Sequence, residues 1–254
     1  MSTTQTETNA LAVRVVGVGD AFTTQYHHAC LLVESHSERL LIDAPPVLAR
    51  ALKDLGDRGG EVVSLDDIDR VLITHLHGDH CGGLEQLLFW RRFVTQKKCA
   101  VYAIPEVLKD LWEQRLRGGM EWLMSGDRSM HKLTLEDYAD IHPLEQNEST
   151  IGPFKVQWRP TIHHVPTSAI TVTVGDKRFA YSADTAFDPE LIDWLSASEL
   201  FFHETNLGIH TPLESLLTVS PPKQDRMRLI HYPDYHPVEQ SPIQCAREGD
   251  RFDL

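Results

Sequence analysis

The sequence predicts an α/β protein whose strands deliver their chemistry along one edge. Short apolar runs that read as strands alternate with stretches whose apolar residues recur at helical spacing. The strands expected to end at Thr74, Ala183, Phe202 and Ile230 are each followed at once by an imidazole or carboxylate side chain. In open α/β sheets the C-terminal edge is where ligands and active sites gather. Finally, Thr74-His75-Leu76-His77-Gly78-Asp79-His80 crowds four candidate metal ligands into six residues directly after the apolar run Val71-Leu72-Ile73. Gly78 is expected to free the backbone to curl back, so that several imidazoles and a carboxylate converge on one point. Neutral imidazole and carboxylate are the ligands that hard to borderline divalent metals prefer.

Composition narrows the function classes. The chain has 254 residues, of which 41% are hydrophobic and 24% charged, an ordinary globular balance with ample material for a core. We expect a disordered lead-in over 1–10 and a single domain over 11–254. No apolar run is long enough to cross a bilayer, and Met1 to Ala10 carries neither a positive n-region nor an apolar h-region, so a cytoplasmic protein without a membrane partner is expected. The four cysteines, Cys30, Cys81, Cys99 and Cys245, form no Cys-x-x-Cys pair and read as packing residues in a reducing compartment. Acidic residues outnumber basic ones 37 to 24, a formal charge of −13 that repels polyanions. No strong nucleic-acid-binding surface is therefore expected, and Arg91-Arg92 with Lys97-Lys98, and Arg115 with Arg117, read as solvated helix faces.

The elements follow in order. Leu11 to Val18 reads as a first strand, broken by Gly17-x-Gly19-Asp20; His27 and His28 lie beyond it, before Cys30-Leu31-Leu32-Val33. A hairpin around Glu34 to Glu38 returns through Leu40-Leu41-Ile42 to Asp43. Pro45-Pro46 opens a helix whose stripe is Val47, Leu48, Ala51, Leu52 and Leu55, ended by Gly56. After the motif, Gly83 to Phe93 is helical, Cys99 to Tyr102 a strand, and Pro105 sits in the first turn of another helix. Periodicity is poor from Arg115 to Leu144, where Trp122, Leu123 and Met124, with Trp112 before them, are read either as a cap over the site or, the commoner outcome for such aromatics, as core packing. Phe154 to Trp158, Ala169 to Val174, Phe179 to Tyr181, Leu200 to Phe202 and Met227 to Ile230 are strands. Small residues at Ser182-Ala183 are expected to leave Asp184 exposed. Thr211-Pro212-Leu213-Glu214 reads as a capping box that fixes His210 just before a helix.

His-x-His-x-Asp-His after an apolar strand resembles the signature of the metallo-β-lactamase superfamily. The resemblance implies a four-layer αβ/βα sandwich, two mixed sheets flanked by helices, around a one- or two-metal site. It implies His75, His77 and His163 as imidazoles of a first metal, Asp79, His80 and His231 as protein ligands of a second, and Asp184 as the bridging carboxylate. In an extended segment only one of His163 and His164 can point inward. The family spacing, His followed by x-Val-Pro, favours His163. His203-Glu204-Thr205 and Ile209-His210-Thr211 resemble the corresponding segments of ribonuclease Z and its phosphodiesterase relatives. Thr205-Asn206 departs from that pattern, and a glycine- and basic-rich arm for transfer RNA is missing from the sequence.

These residues point to a dinuclear metal-dependent hydrolase, a phosphodiesterase acting on a small phosphodiester or short RNA through a hydroxide shared by two divalent ions. Zinc ranks first, with manganese and iron as alternatives for an all nitrogen and oxygen ligand set. Asp79 would hold the nucleophile, and His210, steered by Glu204, would protonate the leaving oxygen; His203 is read as adjacent to the ligands. Competing readings are a lactone, thioester or β-lactam hydrolase on the same metals, a mononuclear iron sulfur dioxygenase, and a non-catalytic binding module. A homodimer is compatible with the sequence.

Overall fold

The computed structural model describes residues 10–58 and 61–254. Two sheets account for thirteen strands and a hairpin for two. In chain order the strands are β1 (Ala12–Gly17), β2 (Cys30–Ser35), β3 (Glu38–Ile42), β4 (Arg70–Leu72), β5 (Cys99–Ala103), β6 (Trp122–Met124), β7 (Met130–Lys132) and β8 (Ala139–Pro143). The second half adds β9 (Ser149–Ile151), β10 (Phe154–Pro160), β11 (Ser168–Val174), β12 (Lys177–Tyr181), β13 (Leu200–Glu204), β14 (Met227–Ile230) and β15 (Arg251–Asp253). The first sheet runs β15-β1-β2-β3-β4-β5-β8 and the second β14-β13-β12-β11-β10-β9. Each is antiparallel on one side and parallel on the other: β3, β4, β5 and β8 are parallel in the first, and β12, β13 and β14 in the second. Buried on both faces, the parallel strands read as nearly continuous apolar runs, which is why Val71-Leu72-Ile73 and Leu200-Phe201-Phe202 were legible.

Helices flank both sheets. The first, α1 (Leu48–Asp57), packs on β1, and α2 (Gly78–Cys81), α3 (Leu84–Trp90), α4 (Pro105–Asp110) and α5 (Arg117–Met120) follow on that half. On the second half α6 (Pro189–Leu195) packs on β12, α7 (Leu213–Leu216) follows it, and α8 (Pro221–Gln224) packs on β14. The result is the four-layer αβ/βα sandwich. Asp188 caps α6 by accepting from the Glu190 and Leu191 amides, with Pro189 in the first turn.

Several local expectations are corrected. Val47 is not in the helical stripe: it stands before α1 in the left-handed region, φ 61°, and is exposed. Gly78 does not supply a left-handed turn. It opens α2 in ordinary geometry, where a Cβ would meet only the Arg115 guanidinium at 3.6 Å, so the curl of the motif is a helical turn. Arg91 is not solvated; it is buried and bonds to the Asp66 carbonyl and Asp69 carboxylate, while Arg92 lies over the Tyr138 ring. Thr211 makes no capping box, because its hydroxyl donates instead to the Thr185 carbonyl. Residues 122–132 form the β6–β7 hairpin, with Lys132 over Trp122, whereas Trp112 packs toward Tyr138. The expected lead-in falls on 1–9, outside the described residues, and on Ala10, which is exposed.

Candidate metal centre and active site

The parallel strands of both sheets end at the same place, and five strand ends carry the site. Asp43 follows β3, Thr74 and His75 follow β4, Asp184 follows β12, Glu204 closes β13 and His231 follows β14. Three of these junctions hold a non-glycine residue in the left-handed region: Asp43 at φ 64°, Ala183 at φ 50° and His231 at φ 54°. Each such conformation costs on the order of 1–3 kcal/mol and persists only where the surroundings over-determine it. Here it turns the chain sharply at the strand end. Asp184 is thereby aimed inward and is buried, contrary to the expectation that it stands exposed.

Two groups of side chains face each other across Asp184. The coordinating atoms of His75, His77, His163 and Asp184 lie within 4.8 Å of one another, as do those of Asp79, His80 and His231. Asp184 offers one oxygen to each group: Oδ2 is 3.5 Å from His75 Nε2 and 3.8 Å from His163 Nε2, while Oδ1 is 3.2 Å from His80 Nε2 and 3.6 Å from His231 Nε2. In the first group His77 Nδ1 is 3.0 Å from His75 Nε2 and 3.3 Å from His163 Nε2. In the second, Asp79 Oδ2 lies 3.2 Å from His231 Nε2 and 3.4 Å from His80 Nε2. His164 lies at the edge, its Nε2 3.0 Å from His77 Nε2.

The outer ring nitrogens are held by the protein. His80 Nδ1 donates to Asp43 at 2.8 Å, and His75 Nδ1 is 3.0 Å from the Thr74 hydroxyl, which itself donates to Asp43 at 2.9 Å. One buried carboxylate thus orients two imidazoles, turning each Nε2 into the cluster, the arrangement that fixes tautomers around metals. Asp43 was not singled out in the sequence, although the signal that found the others, a carboxylate just past an apolar strand, applies to it equally.

Electrostatics divide the two groups. Burial, with the nearby His80, pushes the His75 imidazole down to about 3, and burial pushes His163 down to about 4, so both are neutral with lone pairs directed inward. For His231 burial opposes charge, but Asp184, Asp79 and Glu204 outweigh it and raise the imidazole to about 10. His80 is raised likewise against burial by Asp184 and Asp43. Asp79 and Asp184 are held well below the usual carboxylate range, burial being outweighed by these imidazoles.

The donor set fits a cation. His80 Nε2 and Asp184 Oδ1 are buried without a hydrogen-bond partner, and His77 Nδ1 has the His75 and His163 ring nitrogens within 3.3 Å. Such convergence is unfavourable in a protein by itself and favourable around a metal ion.

Beside the second group, His210 Nδ1 bonds Glu204 Oε1 at 2.9 Å, and the same oxygen accepts the Thr185 amide at 2.5 Å. Burial lowers the His210 imidazole, but the Glu204 contact outweighs it and raises it overall. The His210 ring centroid lies 5.5 Å from that of His163 and 5.4 Å from that of His231. His203 stands apart: it is buried, its Nδ1 is bonded to the Glu204 carbonyl, and it makes no hydrogen bond to the histidine cluster among the described residues. Successive residues of a strand face opposite ways, so pointing Glu204 into the site turns His203 away.

Fold and site together define a protein of the metallo-β-lactamase fold that gathers candidate metal ligands where the parallel strands of its two sheets end. Within that class the chain belongs to the family described as Anti-Pycsar protein Apyc1, whose model matches residues 11–247. It is 35% identical over 234 residues to the Anti-Pycsar protein Apyc1 of Paenibacillus sp. (strain J14), covering 89% of this chain and 90% of that one. Among solved structures, the metallo-β-lactamase fold protein YhfI of Bacillus subtilis superposes with a TM-score of 0.78 at 17% identity, covering 96% of this chain and all of that one. Human tRNase Z, short form, superposes with a TM-score of 0.67 at 16% identity, covering 95% and 98%. Among the described residues no helix is long and apolar enough to cross a membrane.

Proposed function

We propose that the chain is a dinuclear phosphodiesterase for a small phosphodiester or a short RNA, with residues 11–254 acting as one domain. The observation that carries this reading is the position of Asp184, one carboxylate oxygen toward each of two ligand groups. His75, His77 and His163 would hold one divalent ion, Asp79, His80 and His231 a second, with Asp184 shared and zinc the first choice. Two such ions supply Lewis acidity toward a phosphoryl oxygen and a hydroxide at neutral pH.

The chain's own residues do the rest. Asp79, at the mouth of the second group, accepts a hydrogen bond from the attacking oxygen and aims it at phosphorus. As the bond from that oxygen to phosphorus forms and the bond to the leaving oxygen breaks, His210 gives a proton to the leaving oxygen and becomes neutral. Glu204 fixes the ring for that transfer by its bond to Nδ1, which leaves Nε2 as the donor. An alkoxide leaving group needs such an acid. The net charge of −13 favours a small substrate over a long polyanion.

Elemental analysis of the purified protein, with parallel assays on bis(p-nitrophenyl) phosphate, a lactone and a β-lactam, tests the reading. Two equivalents of zinc or manganese with turnover of the diester alone is the expected result. One equivalent of iron without hydrolysis, or turnover confined to the lactone, would overturn it.

A further inference from the structure

Two consecutive residues of one loop grip the His77 ring, one at each nitrogen. His163 Nε2 lies 3.3 Å from His77 Nδ1, and His164 Nε2 lies 3.0 Å from His77 Nε2, with ring centroids 4.9 and 4.7 Å from that of His77. Residues 162–165 form a bend instead of an extended strand, so the alternation that sends neighbouring side chains to opposite sides does not apply there. The bend is fastened on both flanks. The Thr161 amide donates to the Thr167 carbonyl at 3.1 Å, the Thr161 hydroxyl to the Asp184 carbonyl at 2.7 Å, and the Ala186 amide to the Ile162 carbonyl at 2.8 Å.

The two nitrogens of His77 have different surroundings. Nδ1 faces the cluster, with His75 Nε2 at 3.0 Å besides His163. Nε2 faces outward, and its one hydrogen-bond partner among the described residues is His164. An imidazole that lends its Nδ1 lone pair to an ion carries its proton on Nε2 and needs an acceptor there. Outer support is scarce in this group: His75 has the Thr74 hydroxyl, whereas His163 Nδ1 is buried without a partner among the described residues.

We propose that His164 is a positioning residue for the first metal position: its Nε2 lone pair accepts the His77 Nε2 proton and thereby fixes the tautomer that turns His77 Nδ1 inward. The proposal rests on the metal reading above and adds a residue outside the seven ligands. His164 then carries its own proton on Nδ1. Its acceptor atom is uncharged, whereas His80 of the second group leans on the Asp43 carboxylate. The residue is exposed, so its replacement leaves the core intact.

The test compares wild type with His164→Ala, His164→Leu and His164→Gln. Leucine keeps bulk without an acceptor, while the glutamine side-chain carbonyl accepts. Zinc affinity is read by competition with a chromophoric chelator. Loss of an outer partner of a metal-bound imidazole costs about 10- to 100-fold in affinity. We expect that loss for Ala and Leu, confined to one of two zinc equivalents, and at least about tenfold tighter binding for Gln than for either. Long-range nitrogen–proton NMR of zinc-loaded wild type, at about pH 8 where an ordinary imidazole is neutral, is the second readout. It should show His77 protonated on Nε2, His164 on Nδ1, and a coupling between the two Nε2 atoms across their hydrogen bond. Equal affinity in all four proteins, equal losses in all three variants, or a proton on His164 Nε2 would overturn the positioning role and leave the metal reading in place. A wild type that binds no zinc would overturn that reading, and the role with it.

Discussion

The two halves of the proposed metal centre are built from different chemistry. The first, His75, His77 and His163, is an imidazole cluster assembled from two loops, in which His75 and His163 are neutral and His77 is partly open to solvent. The second, Asp79, His80 and His231, is buried throughout, and its imidazoles are charged by the carboxylates around them. The first group is uncharged; the second compensates its charges internally. A metal entering the second group of the proposed centre would displace protons from His80 and His231, whereas the first would offer lone pairs at once. In the proposed dinuclear centre the two positions would therefore fill differently, although Asp184 would serve both.

The sharpest way to break the comparison is to remove what the halves share. Asp184→Ala should strip metal from both positions and lower diester turnover at least about 10³-fold, beyond the effect of deleting a single stabilising donor. Retention of two equivalents by elemental analysis would refute the shared role. His210→Ala comes next: turnover of a diester with an alkoxide leaving group should fall about 10²- to 10⁴-fold, the range of one general acid, with metal content unchanged. Unaltered turnover would remove His210 from the mechanism. Asp43→Asn acts on the support of His80 and, through Thr74, of His75. We expect metal affinity to fall about 10- to 100-fold, measured by competition with a chromophoric chelator, with the second position weakened more because its contact is direct.

Metal-free protein should report the contrast through pH. His75 and His163 sit near 3 and 4 in the folded chain against an ordinary 6.5, so below pH 6.5 the unfolded state binds more protons and stability falls as pH drops toward 4. His231, raised to about 10, acts in the opposite sense: its contribution is full below pH 6.5 and is lost as pH rises toward 10. Urea midpoints of chelator-treated protein should therefore peak near the ordinary histidine value. A midpoint that keeps rising below pH 6 would contradict the neutral first group. The smallest effect is expected at Gly78. Because Gly78 opens a helical turn and a Cβ there meets only Arg115 at 3.6 Å, Gly78→Ala should leave turnover within about twofold, consistent with alanine's better helix propensity.

Much of this architecture was legible because the determining signals are local. A parallel strand buried on both faces must be apolar throughout, so β4, β12, β13 and β14 announced themselves, and the polar residue that ends each run announced the site. The motif from His75 to His80 held four of the seven proposed ligands within one turn of chain. What escaped has a common cause. Asp43 ends a strand as Asp184 does, but its role arises from Thr74 and His80, 31 and 37 residues away, which only the parallel pairing of β3 and β4 brings to it. His203 and Glu204 are neighbours in sequence and were read together, yet the strand sends them to opposite sides. Arg91 resembled a solvated cation until Asp66 and Asp69 were seen around it.

The sequence by itself determined the fold class, the apolar strands and the set of residues able to hold a metal, because each follows from periodicity or from side-chain chemistry within a few positions. The family resemblance implied a division of those residues into two groups; only the tertiary structure supplied the geometry that brings each group together. That geometry depends on left-handed turns at Asp43, Ala183 and His231, which non-glycine residues adopt only when packing on every side enforces them. Tertiary structure likewise decided that His164 meets the outer nitrogen of His77, 87 residues away in the chain. No local pattern records such a meeting, since it is fixed by how two sheets stack and by where their loops are tied.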